Sequence, residues 1–64
     1  MAEINIANEK ITVKKNETIE KAMLSAGKHP DAFLYLTKNG KPTPMTTVLD
    51  EGVIIEAIRV ASGG

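Results

Sequence analysis

Sixty-four residues fit a single domain, and a domain this small buries only about 60% of the surface its unfolded chain exposes. With no cysteine and one histidine, neither a disulfide framework nor a metal site can staple it, so its core must hold it unaided. Eight basic and eight acidic side chains cancel, and the aromatics are Phe33 and Tyr35 alone, which argues against a nucleic-acid-binding surface.

The opening stretch alternates. Ile4 and Ile6 point one way, and after a turn around Asn8-Glu9, Ile11 and Val13 do the same. This is the period-2 pattern of two half-buried strands in a hairpin. From Thr18 the period changes. Ile19, Ala22, Met23 and Ala26 share one helical face, Thr18 suits the N-cap, and Glu20 suits the positive end of the helix dipole. Gly27 stops the helix and Pro30 prevents its resumption. A third strand, FLYLT, runs into Asn39-Gly40, the favoured pair for a type I′ turn. Pro42 and Pro44 then keep the returning fourth strand short and at an edge. Leu49 tucks inward, Gly52 turns the chain, and VIIEAIRV is apolar enough for a central strand.

This order predicts an α+β fold with one helix packed across one face of a mixed sheet of four to five strands. The first and last strands lie side by side in parallel. The expected architecture is β-grasp (ubiquitin-like), with one domain expected over 1–62 and a flexible Gly-Gly tail expected at 63–64.

A single helix covers one sheet face. The expected inward side of the third strand carries Leu34 and Leu36, and that of the last strand carries Ile55 and Ala57. Phe33, Tyr35, Ile54, Ile58 and Val60 are then expected together on the uncovered face, where an exposed apolar cluster marks a docking site. The bland alternative is that the aromatics cover the sheet through cross-strand contacts.

Catalytic chemistry is scarce. His29 and Asp31 lie in a loop of turn formers with no nucleophile beside them, and Asp50-Glu51 reads as a solvated turn. The group left is the α-carboxylate of Gly64. Glycine has no Cβ, so Gly63 and Gly64 can thread a channel that any side chain would block.

At this point the chain resembles the ThiS/MoaD family of β-grasp sulfur carriers, and the archaeal small modifier proteins related to them. The residues that carry the resemblance are TIEKAML, LYLTKNGKPTP and VLDEGVIIEAIRVASGG. Many sulfur carriers read Gly-Asp at the last turn; here Val53 follows Gly52, and the acids come earlier, at Asp50 and Glu51.

The resemblance implies that the protein is a substrate and not an enzyme. A ubiquitin-activating-type enzyme docks on the uncovered face, Ile58 included, and uses ATP to adenylate Gly64. A sulfur donor converts the adenylate to a thiocarboxylate, and a sulfur-accepting synthase (for thiamin, molybdopterin, a thiolated tRNA or a related product) takes the sulfur. In the modifier branch, Gly64 instead forms an isopeptide bond with a target-protein lysine. The expected protein is a cytoplasmic monomer with no bound cofactor or metal, touching neither nucleic acid nor membrane. A third reading, from another class, is a β-grasp interaction module with an inert tail.

Overall fold

The computed structural model describes residues 1–60. Strands β1 (Ala2–Ile6) and β2 (Glu9–Val13) form an antiparallel hairpin in which Ile4 faces Ile11 and Ala2 faces Val13. All four side chains are buried. The turn comes one residue earlier than the sequence suggested, because Glu9 already pairs with Ile6. Of the two loop residues, Ala7 takes φ 40 and Asn8 stays negative, the pattern of a type II′ turn.

Helix α1 (Ile19–Ser25) buries Ile19, Ala22 and Met23 against the sheet. Ala26 falls past its end and is exposed. Three donors of the first turn, which a helix leaves without internal partners, are satisfied. The Lys21 N–H donates to Thr18 Oγ1 at 3.1 Å. The Ile19 and Glu20 N–H groups donate to the Thr47 and Met45 carbonyls at 3.2 and 2.9 Å. The 45–47 loop is thereby pinned to the helix start. At the other end Gly27 takes φ 75, its N–H bonding to the Leu24 carbonyl and that of Lys28 to the Met23 carbonyl. These are the two bonds of a Schellman motif.

A 3₁₀ turn, Pro30–Ala32, leads into β3 (Phe33–Leu36), and β4 (Ile54–Arg59) closes the order β2-β1-β4-β3. The β1–β4 pair is parallel and the other two are antiparallel. This is an α+β architecture with one α-helix and a four-stranded mixed sheet. The central strand buries Ile55 and Ala57, and Leu49 is buried as the sequence predicts. Gly52 turns the chain at φ 80.

Three expectations are corrected around β3. The strand's faces are reversed: Tyr35 is buried and Phe33 packs against the core, while Leu34 is exposed and Leu36 half-buried. The register explains it, since Tyr35 stands opposite Ala57 and so shares the helix side of the sheet. The Asn39-Gly40 turn is also different. Thr37 pairs with Lys41 around three residues, the Gly40 N–H returns to the Thr37 carbonyl at 2.8 Å, and only Gly40 (φ 81) is left-handed. This is the type I turn with a G1 bulge and not a two-residue I′ turn. Finally, the fourth strand is reduced to an isolated bridge between Leu36 and Pro42, because proline has no N–H to extend the ladder.

Among the described residues, no helix is long and apolar enough to cross a membrane. No three side chains of the metal-ligating types gather there either.

Candidate functional site

The face of the sheet away from α1 has no covering layer. Alternation along each strand places Glu3 and Asn5, Lys10 and Thr12, Leu34 and Leu36, and Ile54, Glu56 and Ile58 on it. Its composition divides by strand. The β2–β1 half is polar: Lys10 Nζ lies 3.9 Å from Glu3 Oε2, and Asn5 Nδ2 donates to Glu56 Oε2 at 3.1 Å. The β4–β3 half is apolar apart from Glu56, with Ile58 directly opposite Leu34.

Four large apolar side chains of β3, β4 and the residue after β4 stay exposed: Leu34 at 42%, Ile54 at 46%, Ile58 at 50% and Val60 at 44%. Leu34 and Ile58 form the centre of the cluster. Val60 extends the line, its N–H donating to the Ala32 carbonyl at 3.0 Å and holding the backbone beside β3 one residue past β4. Ile54 shares the face but sits apart, in register with Glu3 and separated from Ile58 by Glu56 along the strand.

Ile54, Ile58 and Val60 are therefore exposed as the sequence predicts, and Phe33 and Tyr35 are not part of this face. The physical reason is that Tyr35 has better use inside. Its ring fills the space above the small Ala57, and its hydroxyl donates to the Pro30 carbonyl at 2.5 Å, so the buried polar group is satisfied. Burial, and secondarily the charges of Asp31 and Glu20, push its pKa up from 10.0 to about 12. Phe33 lies near it, the two ring centroids 6.5 Å apart. Leu34 is the residue missed. The signal for it was the facing strand: once Ala57 is assigned inward, its antiparallel partner must point inward too.

Gly63 and Gly64, the expected threading and activation residues, lie outside the described residues. What the structure supplies is the approach to them. The central strand β4 runs from the parallel pair with β1, past Ile58 on the open face, toward the chain's C-terminal residues.

No family model, curated protein or solved structure matches this chain.

Proposed function

We propose that this protein is a β-grasp, ubiquitin-like sulfur carrier, a substrate of an ATP-dependent adenylating enzyme. The observation that carries the reading is the exposed Leu34–Ile58 pair, extended by Val60, on the uncovered face of the strand that leads directly to Gly63-Gly64. An apolar patch on an otherwise polar sheet face suits a partner's apolar surface. The place of Ile58 five residues before Gly63 in the sequence suits an enzyme that must hold the domain while it works on the end of the chain.

The chemistry is that of an activated acyl group. The Gly64 carboxylate attacks the α-phosphorus of ATP, pyrophosphate leaves, and an acyl-adenylate forms. A hydrosulfide-level donor then attacks the acyl carbon, the acyl–phosphate bond breaks with AMP departing, and a thiocarboxylate remains for delivery to a sulfur-accepting synthase. Both glycines serve the entry of the tail into the enzyme, since neither has a Cβ to block a narrow channel. The domain contributes no catalytic group; it is held by its open face and presents its end. The reading places this in the cytoplasm, with the carrier acting as a monomer.

Deleting Gly63-Gly64 tests the reading in cells. The truncated chain keeps the core, which the described residues form by themselves, and loses the sulfur-transfer phenotype of the intact gene. Full function from the truncated chain would leave an interaction module with an inert tail.

A further inference from the structure

Helix α1 is shorter than the sheet it covers. Its seven residues span about 10 Å, whereas the six residues of β4 span about 20 Å. Where the helix stops, at Gly27, the helix-side face of the sheet continues, and the uncovered end is a cleft of about 620 Å³. That is within the range of small-molecule sites. Its apolar lining includes Ile6, Phe33, Ala57 and Ile58, brought together from three strands.

Two carboxylates, Glu9 and Glu56, and two cations, Lys28 and Arg59, line the cleft. Glu9 is held by Lys28, Nζ to Oε1 at 2.6 Å. Glu56 belongs by alternation to the open face, where Asn5 occupies one of its oxygens. Arg59 stands opposite Phe33 and shares its side of the sheet. Among the described residues no carboxylate lies within ion-pairing distance of its guanidinium. The cleft therefore combines an apolar floor with a cationic fork that no carboxylate among the described residues engages.

We propose that this cleft binds a small amphipathic anion, a carboxylate carried on an aromatic or branched apolar body. The body lies on Phe33, Ile6 and Ala57, and the carboxylate accepts hydrogen bonds from the Arg59 guanidinium, whose planar fork fits two oxygens at once. The floor of the site lies on the helix side of the sheet, its lining extends along β4 to Glu56 and Ile58, and the proposal stands without the carrier reading.

The test is a ¹⁵N-correlation NMR titration of the full chain with benzoate, and with benzamide and acetate as partners lacking the charge or the apolar body. Benzoate is expected to give saturable shifts at the amides of Gly27, Lys28, Phe33 and Arg59, and to bind roughly ten-fold more tightly than either control. Arg59→Gln should weaken benzoate about ten-fold while Arg59→Lys retains part of the affinity. Both variants alter an exposed side chain, and unchanged amide dispersion verifies that they fold. Benzamide binding as well as benzoate, an Arg59→Gln chain with undiminished affinity, or no saturable shift at these amides would each overturn the proposal.

Discussion

Tyr35 and Ala57 face each other across β3 and β4 on the helix side of the sheet, a large ring over a small side chain. That one relationship fixes which way β3 points. It places Leu34 outside opposite Ile58, and so determines which residues a partner would meet.

Tyr35 should therefore matter to stability and not to docking. Tyr35→Phe keeps the ring but leaves the buried Pro30 carbonyl without its hydroxyl donor, for a loss of about 1–2 kcal/mol. Tyr35→Ala also empties the space over Ala57 and should cost about 3–5 kcal/mol, much of what a small domain has. Urea unfolding of the two variants checks the order. Equal stability of Tyr35→Ala and wild type would contradict the packing.

The same burial gives a pH dependence. The phenol's pKa is raised from 10.0 to about 12 in the folded chain, by desolvation first and by Asp31 and Glu20 after it. The folded state therefore binds the proton more tightly than the unfolded state does. The stabilisation is fully present below pH 10.0 and is lost progressively as pH rises toward about 12. Lysines titrate in the same range, so the measurement is the difference in denaturation midpoint between wild type and Tyr35→Phe across it. The gap between them should narrow as pH rises; a constant gap would refute the assignment.

Thr18 is the helix's one side-chain cap, and its backbone also bridges to Val48. Thr18→Ala should cost about 0.5–2 kcal/mol, whereas Thr18→Ser or Thr18→Asp should cost little. Thermal unfolding followed by circular dichroism distinguishes them.

On the open face, Leu34→Glu and Ile58→Glu should change folding little, because both side chains are exposed, at 42% and 50%. Each should weaken binding to the adenylating enzyme by roughly thirty-fold, the effect of losing a central interface contact. Thr12→Glu, on the polar strand β2 of the same face, should have little effect. Equal losses at all three positions would point to charge alone. No loss at Leu34 or Ile58 would place the docking surface elsewhere.

How far these features were legible varied with the pattern. The hairpin was plain, because Ile4, Ile11 and Val13 alternate with polar neighbours. The helix was too, because Thr18 opens it, Gly27 closes it and Ile19, Ala22 and Met23 share a face. The inward side of β4 followed from Glu56, which could not be buried unpaired. Phe33-Leu34-Tyr35-Leu36 offers no such contrast. Every residue is apolar or aromatic, so alternation cannot orient the strand, and only its register with Ala57 does. The Asn39-Gly40 pair suggested the wrong turn because Thr37 adds a side-chain bond to the Lys41 N–H, which favours the longer loop. The cleft beside Arg59 had no local signature at all, since it arises from the mismatch between a seven-residue helix and the strands beneath it.

The central claim concerns the Gly64 carboxylate, and intact mass spectrometry of the untagged protein from its native host reads it directly. Purified without alkylating or oxidising reagents, the chain should include a population heavier by the exchange of one oxygen for one sulfur, and fragmentation should place the change on Gly64. A free carboxylate alone, together with Gly-Gly remnants on the lysines of other proteins, would contradict the carrier account and support a protein modifier. A terminus that is neither thiolated nor conjugated would remove both.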